Sequence, residues 1–534
     1  MSQVAHLVCR IKPYIQPFER KLALREIQQL TGTQALQHAD DENCFTINSD
    51  IDPDILLERL AYWESVKDGD LSWTKQSKRE ATIALSRNMM HYSELSSVLP
   101  FKNQVPIPNK RCLRYGPHDI HEYRGKFFPQ LVRALLNLSG LPTGSFVLDP
   151  MCGSGTTLVE ANLAGYNAIG VDLNPLSAFI ATTKCEILRT TPLSIFGSYT
   201  RIQSTLQDSG FHQNSALNYF QTLPNDDQHY IESWFSPEVL SDLDKIATLL
   251  NDMPQSVCKD LFWLCLSDIL RPVSYQKTED LRIRRDPKNM EDIDTISVFL
   301  NQLSRTVRYV LAFLLGETPI NLQAYQVIRG DARELANILA NLQRHPDIVI
   351  TSPPYATALP YLDTDRLSLV YLKLLTRHEH RKTDYQMIGN REISDSQRTN
   401  LWDVYLNQYQ YLPQAIRDLI DDLDKTYRDI DVGFRRKNLP ALLAKYFLDM
   451  KTVLRDINYA INDNGHVFIV VGNNHTVARG KRIEIRTAEL IGSLGESIGM
   501  RLLELIPMEM LNPRDIFKKN SVTSEYIVHL QVCR

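Results

Sequence analysis

Residues 351–355 read TSPPY and place a polar side chain, two prolines and an aromatic ring in direct succession. The apolar residues 348–350 before them predict a buried strand. Neither proline has an N–H to give to a neighbouring strand, so the strand ends here on a rigid tip. Taken alone, such a tip is typical of a surface turn, and a functional role requires a second motif beside it.

A second motif, VLDPMCGSGTT, joins the end of a predicted strand to a glycine turn and the start of a helix. Asp149 ends the strand, Gly153 and Gly155 form the turn, and Thr156 begins the helix. Glycines at this place let backbone N–H groups approach a ligand closely. The next predicted strand ends in Asp172, where a carboxylate can accept hydrogen bonds from both hydroxyls of a ribose.

The residues around the turn indicate which ligand it would bind. No Gly-Lys-Ser/Thr follows it, only one Gly-x-Gly is present, and the carboxylate of Asp149 beside Pro150 would repel a phosphate. The same carboxylates suit a ligand that carries positive charge. S-adenosylmethionine combines an adenosine with a sulfonium and an ammonium group, so the motif predicts a site for it rather than an ordinary strand–turn–helix junction.

The composition is that of a soluble globular protein with two or three domains. The 534 residues are 43% hydrophobic and 23% charged, with a net charge of −4. No apolar run reaches the length of a membrane span, and the N-terminus lacks a secretory signal. Eight cysteines without a CxxC pair predict a reducing, cytoplasmic location. For His118 and His121, three residues apart, hydrogen bonding is predicted rather than metal binding.

Strand and helix patterns alternate from residue 145 onward and predict an α/β fold with a parallel, Rossmann-like sheet. Two mostly helical insertions interrupt it, and a small α+β block precedes it. The predicted units are 1–100 (N-terminal α+β domain, for nucleic acid or a partner), 111–186 (first half of the core), 187–322 (helical insertion, candidate target recognition), 323–364 (core with TSPPY), 365–440 (second helical insertion) and 441–534 (C-terminal part of the core).

Together, the two motifs resemble those of the DNA amino-methyltransferases, which methylate N4 of cytosine or N6 of adenine. DPMCGSGT is similar to the family's cofactor loop, and TSPPY is similar to its catalytic tetrapeptide with Thr351 in front. HEYRGKFFPQLV, which contains Phe127, resembles the segment that packs against the methionine end of the cofactor. Asp331, in GDARE, stands where the family contacts the adenine ring.

The resemblance covers roughly 115–186 and 325–363, with weaker similarity over 445–530. It implies a class I methyltransferase sheet, S-adenosylmethionine as methyl donor, double-stranded DNA as substrate, and a restriction or defence system as a compatible partner. Because the cofactor loop precedes the catalytic loop, the permuted subgroup is excluded. The implied cofactor-binding residues are Phe127, Asp149, Pro150, Gly153, Gly155, Thr156, Asp172, Asp331 and Thr351.

The resemblance also gives the TSPPY tip a chemistry. The amine of a nucleobase is a poor nucleophile because its lone pair is delocalised into the ring. Ser352 Oγ and the carbonyl of Pro353, held rigid by Pro354, can accept hydrogen bonds that favour a tetrahedral nitrogen. Tyr355 can stack on a base rotated out of the duplex. Transfer is then a direct displacement without a protein nucleophile, consistent with the lack of any Pro-Cys dipeptide in the sequence.

A serine at the first position of the tetrapeptide favours cytosine N4 as the target, with adenine N6 as the alternative. A tRNA guanine-N2 methyltransferase is a rival interpretation, because those enzymes share the Asp-Pro-x-x-Gly-x-Gly loop. They usually have Asp at the position of Ser352, which argues against it. An inactive, cofactor-binding subunit that binds nucleic acid is the other rival, and the intact TSPPY tip argues against that.

Arginine-rich stretches predict where an acidic chain would hold DNA. Three of them, LRIRRDPKN, GFRRKN and ARGKRIEIR, lie in or beside the insertions or near the C-terminal strands. Each alone is more typical of a solvated face, and a shared groove would give them a function. The candidate DNA-binding residues are Arg282, Arg284, Arg285, Arg435 and Arg436.

Overall fold

The structure is a computed structural model. It describes residues 5–87, 91–101, 104–123, 125, 128–208, 217–277, 284–286, 293–317, 322–340, 342, 344–356, 361–390, 392–428, 433–478, 481–509 and 524–534. Two of the predicted site residues, Phe127 and Arg282, lie outside the described residues. Within these ranges, none of the helices combines the length and the apolar character needed to cross a membrane.

The N-terminal part of the chain forms the predicted α+β block, a five-stranded antiparallel sheet in the order β2-β3-β1-β4-β5. On β1, alternate residues Leu7, Cys9 and Ile11 are buried, as expected for a strand with one covered face. Helix α1 is capped at its C-terminus by Gly32, which adopts a left-handed φ of 69°. The elements are β1 (Ala5–Ile11), α1 (Pro17–Thr31), β2 (Leu36–Gln37), β3 (Cys44–Ser49), α2 (Pro53–Arg59), β4 (Trp63–Asp68), β5 (Asp70–Trp73), α3 (Lys75–Arg87) and α4 (Tyr92–Val98).

The main sheet confirms the predicted Rossmann-like fold. Its strands follow the order β12-β13-β10-β9-β6-β7-β8, with β11 paired to β10. Strands β8, β7, β6, β9 and β10 are parallel, and β13 runs antiparallel between β10 and β12. The elements are α5 (Pro129–Leu138), β6 (Phe146–Asp149), α6 (Thr156–Leu163), β7 (Asn167–Asp172), α7 (Pro175–Ile187), β8 (Tyr325–Arg329), α13 (Leu335–Leu339), β9 (Ile348–Thr351), α19 (Phe434–Ala460), β10 (His466–Ala478), β11 (Lys481–Ile485), α20 (Thr487–Glu496), β12 (Met500–Met508) and β13 (Ser524–Val532).

Two groups of helices interrupt this sheet, one before β8 and one after β9. Helix α11 is apolar around most of its circumference and is buried, so it forms the centre of its group. Leu264 of α11 and Leu369 of α15 belong to one hydrophobic cluster, so the two groups pack together. The first group contains α8 (Pro192–Gln207), α9 (Asn225–Glu232), α10 (Pro237–Asn251), α11 (Val257–Leu270) and α12 (Thr295–Gly316). The second contains α14 (Tyr361–Thr364), α15 (Arg366–Tyr371), α16 (Arg377–Gln386), α17 (Asp395–Gln408) and α18 (Gln414–Arg428).

The N-terminal block packs directly on the main sheet domain. Phe18 and Leu22 of α1 share one hydrophobic cluster with Leu131 and Leu135 of α5. A cluster that crosses the boundary between two units makes their separation costly, because apolar surface on both sides would be exposed to water. The block is therefore held firmly against α5.

A buried carboxylate fixes the helix that follows the glycine turn. Glu160 of α6 is fully buried and accepts hydrogen bonds from Tyr115 Oη at 2.7 Å and Arg133 Nε at 3.0 Å. His118 Nε2 lies 2.9 Å from the same carboxylate. Burial by itself would raise the pKa of Glu160, but the charge of Arg133 and the contact with His118 outweigh it and lower the pKa to about 2. Glu160 therefore ties α5, α6 and the segment before α5 together.

We expect the substitution Glu160→Gln to destabilise the protein by about 3–5 kcal/mol, because Arg133 keeps a buried charge without its partner. The exposed Glu496→Gln serves as control and should change the free energy of unfolding little. The folded-state pKa lies below the ordinary value of 4.5, so the stabilisation is present above pH 4.5 and is lost toward pH 2. Urea unfolding at several pH values measures this, and a difference from wild type that stays constant between pH 4.5 and 2 would contradict it.

Candidate functional site

The candidate site lies where the order of the parallel strands reverses. From β6 the chain continues to β7 on one side, and β9 lies on the other side, so the carboxyl ends of β6 and β9 flank a crevice. A cleft that is open to solvent, with about 750 Å³ of empty space in and above it, lies there. Seven of the predicted cofactor-binding and catalytic residues line it: Pro150, Gly153, Thr156, Asp172, Asp331, Ser352 and Pro354.

Three other predicted residues at the carboxyl ends of β6 and β9, namely Asp149, Gly155 and Thr351, lie beneath the surface of the cleft. Asp149 and Thr351 are buried at the ends of β6 and β9. Asp149 Oδ1 accepts a hydrogen bond from the backbone N–H of Met151 at 3.2 Å, and burial raises the pKa of its carboxyl to about 6. Gly155 forms the N-cap of α6 with a φ of 76°. These residues shape the turn from beneath its surface.

The glycine turn is built for close approach. Gly153 has a φ of 48°, and a Cβ there would lie 3.0 Å from the ring of Tyr123. A Cβ on Gly155 would lie 2.7 Å from the Cβ of Ala181 in α7. A side chain at either position would therefore combine backbone strain with a steric clash, which leaves bare backbone facing the cleft.

Asp172 links the two strand ends. Its Oδ2 accepts the backbone N–H of Gly153 at 2.8 Å, and its Oδ1 accepts the backbone N–H of Asn174 at 2.8 Å. Burial raises the pKa of Asp172 to about 6, and the nearby charge of Asp365 adds to the effect. The carboxylate thus fixes the turn and also lines the cleft.

The TSPPY tip is anchored to its neighbours in the sheet. Ser352 Oγ donates a hydrogen bond to the carbonyl of Val470, in the adjacent strand β10, at 3.1 Å. Tyr355 Oη donates to Glu525 Oε1, in β13, at 3.0 Å. The tip is therefore attached at both ends. The hydroxyl proton of Ser352 points into the sheet and away from the cleft.

Residues of the second helical group close the cleft, and the sequence did not predict them. Gln386, the last residue of α16, lines it together with Met387 and Ile388, which follow the helix. Gly389, with a φ of 78°, packs against the tip, since a Cβ there would lie 3.0 Å from Pro354 Cβ and 3.2 Å from the carbonyl of Tyr355. The only sequence signal for Gly389 was a glycine in a polar helical stretch. No local pattern connects this glycine to the TSPPY motif, about 35 residues earlier.

Arg333 connects this wall to Asp331. Its guanidinium donates to both carboxylate oxygens of Asp331, to Asp449 Oδ1 in α19 at 2.9 Å and to the carbonyl of Gln386 at 2.8 Å. Lys445 extends the network, donating to Asp449 Oδ2 at 2.6 Å. The burial of Asp331 is offset by Arg333, and the pKa of its carboxyl stays below the ordinary value. The sequence contained a signal for Arg333, because an arginine two residues after Asp331 is close enough to pair with its carboxylate.

The predicted basic residues that the structure describes are exposed. Arg284 and Arg285 follow α11, and the guanidinium of Arg285 lies 5.4 Å from the ring centre of Tyr275. At the start of α19, Arg435 is 3.7 Å from Glu392, and Arg436 is exposed beside it. These arginines lie on different elements, so a shared groove for them stays a prediction.

Comparison with known proteins gives one family and several relatives. Residues 121–200 match the family UPF0020, described as an RMKL-like methyltransferase domain. The Type II methyltransferase M.MvaI of Kocuria varians is 24% identical over 422 residues, which cover 76% of this chain and 87% of that protein. M.MjaII, a Type II methyltransferase of Methanocaldococcus jannaschii, is 24% identical over 46% of this chain and 60% of its own length.

A shorter similarity points to another class of methyltransferase. The tRNA (guanine(10)-N2)-dimethyltransferase of Methanocaldococcus jannaschii is 46% identical over 82 residues, which cover 15% of this chain and 22% of that protein. The similarity is therefore high but confined to one part of the chain, whereas the similarity to the Type II enzyme from Kocuria varians extends over most of it.

We expect the substitution Gly389→Ala to destabilise the protein more than Gly69→Ala. Both glycines have positive φ, so alanine at either position strains the backbone by about 1–2 kcal/mol. Nothing lies within 4 Å of a Cβ on Gly69, whereas a Cβ on Gly389 presses on Pro354 and Tyr355. Urea unfolding measures the free energy of unfolding of both variants. An equal decrease in the two would show that the tip moves to accept the Cβ without cost.

Proposed function

We propose that this protein is a DNA amino-methyltransferase, which transfers a methyl group from S-adenosylmethionine to an exocyclic amine of a DNA base, with cytosine N4 as the favoured target. The observation that carries the proposal is the shared cleft: the glycine turn and Asp172 line it together with Ser352 and Pro354 of the TSPPY tip. A methyl donor and an acceptor amine must meet in one enclosed space, and this cleft has a motif for each.

The residues of the cleft suit S-adenosylmethionine. Asp172 and Asp331 supply carboxylates for hydroxyl and amine groups, and Met151 and Ile388 supply apolar surface for a flat ring. The turn at Gly153 leaves space that a Cβ would fill, so its backbone can lie against the ligand. When bound, S-adenosylmethionine supplies an electrophilic methyl group on a positively charged sulfur.

Ser352 is the residue best placed to activate the amine. A hydroxyl has one proton and two lone pairs, and the proton of Ser352 is already donated to the carbonyl of Val470. Its lone pairs are therefore left to accept a hydrogen bond from the target amine, and the carbonyl of Pro353 is proposed as the second acceptor. Because both acceptors are fixed by the sheet and the proline rings, little reorganisation is needed at the moment of reaction.

The DNA would be held by the arginine-rich stretches, with the target base rotated into the cleft and stacked on Tyr355. Duplex DNA is favoured because the similarity to a Type II methyltransferase covers 76% of this chain. A tRNA guanine-N2 activity is the second candidate, and the 82-residue similarity to a tRNA methyltransferase supports it. Adenine N6 is the alternative target within DNA, and serine at position 352 is the reason for preferring cytosine.

Mass spectrometry of nucleosides tests the proposal. The protein is incubated with deuterium-labelled S-adenosylmethionine and either genomic duplex DNA or mixed tRNA, and the products are digested. We expect labelled N4-methylcytosine from DNA. Labelled N6-methyladenine from DNA would show that adenine, and not cytosine, is the target. Labelled N2-methylguanosine from tRNA would establish the second candidate. No label in either nucleic acid would indicate a binding subunit without transferase activity.

Cofactor affinity should depend on Asp172 and on pH. Replacing Asp172 by Asn removes charged hydrogen bonds to the ribose, each worth about 1.5–3 kcal/mol, and should weaken binding of S-adenosylmethionine. Because the pKa of Asp172 is raised to about 6, the carboxylate becomes protonated as pH falls through 6, and the wild-type affinity should fall with it. Titration calorimetry between pH 5 and 8 measures both effects.

The exposed Asp252→Asn serves as control in the same titrations. Asp149 titrates in the same range, so the pH dependence of Asp172→Asn should be weaker than that of wild type but not absent. A folded Asp172→Asn variant with wild-type affinity and wild-type pH dependence would remove Asp172 from the site.

Replacing Ser352 by Ala should lower the rate of methyl transfer more than it lowers affinity for DNA or cofactor. Its hydrogen bond gains most when the amine nitrogen becomes tetrahedral, so its loss raises the barrier rather than weakening the ground state. Removal of one preorganised oxyanion-hole donor costs about 10²–10³-fold in rate, and we expect a loss of similar size for this preorganised acceptor. Single-turnover transfer measures this, and a wild-type rate would make the tip a turn without catalytic function.

The exposed arginines should carry salt-dependent binding. We expect Arg284→Ala combined with Arg285→Ala to weaken DNA binding and to reduce the slope of log affinity against log salt by about 2. Arg501→Ala is the control. Arg501 lies near the start of β12, which runs parallel to β10, so it lies at the end of the sheet opposite the carboxyl ends that carry the cleft. Binding isotherms at several salt concentrations that match wild type would make the cluster a solvated face.

A further inference from the structure

Glu525 is a half-buried carboxylate that none of the sequence motifs contains. It lies in β13, in register with Gly472 of β10 and Met508 of β12. Its Oε1 accepts the hydrogen bond of Tyr355 Oη at 3.0 Å. The strand that carries it is the antiparallel one, 170 residues away in sequence from the tip that it contacts. Burial raises the pKa of Glu525, and the hydrogen bond from Tyr355 works against that rise.

The contact fixes the far end of the tyrosine ring. At its near end, Tyr355 follows two prolines, and its carbonyl packs against the position of Gly389. At its far end, the hydroxyl is held by Glu525. A ring that is attached at both ends has lost the freedom of its two side-chain dihedral angles, so it loses little further entropy when a flat ligand stacks on it.

We propose that Glu525 is a positioning residue that holds the ring of Tyr355 in the orientation in which it receives an extruded nucleobase. The inference rests on the proposed function, because it requires that a base leave the duplex and stack on Tyr355. Glu525 acts through the tyrosine and touches neither the base nor the cofactor. Its contribution is therefore to base capture and not to the activation of the amine, which belongs to Ser352.

Three variants separate this role from a contribution to folding. Glu525→Gln keeps an acceptor oxygen for the tyrosine hydroxyl, Glu525→Ala removes it, and Tyr355→Phe removes the same hydrogen bond from the other side. If the hydrogen bond positions the ring, Glu525→Ala and Tyr355→Phe should have effects of the same size, and the double variant should be no worse than either. Tyr355→Phe also keeps the inference testable if Glu525→Ala does not fold.

Nucleoside analysis and sequencing of treated DNA first identify the sequence that the protein methylates. The affinity is then measured for an unmethylated duplex that contains this sequence, and for the same duplex with a mismatch at the target base. A mismatched base is cheaper to extrude. We expect Glu525→Ala and Tyr355→Phe to bind the matched duplex roughly tenfold more weakly than wild type, and the mismatch to restore most of the loss. Glu525→Gln should stay within about threefold of wild type, since it keeps the acceptor.

Single-turnover transfer completes the test, with Ser352→Ala as the matched comparison. The mismatch should raise the rate of Glu525→Ala and leave that of Ser352→Ala low. Wild-type binding by both Glu525→Ala and Tyr355→Phe, additive losses in the double variant, or losses that the mismatch does not restore would each overturn the role of Glu525. Wild-type protein that methylates no DNA would instead overturn the proposed function, and the inference with it.

Discussion

The parallel pairing of β6 with β9 is the constraint on which the site depends. Val147 lies opposite Ile348, and Leu148 lies opposite Val349. Two residues beyond these pairs, one strand turns into the glycine loop and the other into the TSPPY tip. About 200 residues separate the two strands in the chain, and the register of this short parallel ladder brings their ends to the same edge of the sheet. Shifting the ladder by one residue would turn one of the two motifs to the opposite face.

The cleft is not made by the sheet alone. Its third side comes from 386–388, at the end of α16. Arg333 holds this wall by hydrogen bonds to Asp331, Asp449 and the carbonyl of Gln386. The wall and the tip also touch each other at Gly389. The second helical group is therefore joined both to the TSPPY tip, through Gly389, and to Asp331, through Arg333.

The sequence was sufficient for the fold class, the glycine turn and the tip, because each of these depends on residues close together in the chain. It did not reveal Gly389, Glu525 or the wall at 386–388. Their roles depend on contacts across 35 to 170 residues, and no local pattern records which strand or helix will lie beside the tip. For Asp149, the sequence predicted the position at a strand end but not the burial of the carboxyl behind the turn, because burial follows from packing.

In the proposed reaction, Ser352 presents its lone pairs to the target amine, because its proton is donated to the carbonyl of Val470. The most direct measurement is a crystal structure of the protein with S-adenosylhomocysteine and a duplex that contains the methylated sequence. The account predicts the target nitrogen at about 3 Å from Ser352 Oγ, the hydrogen bond to the Val470 carbonyl intact, and the base stacked on Tyr355. A base bound elsewhere, or a Ser352 hydroxyl turned away from Val470, would contradict it.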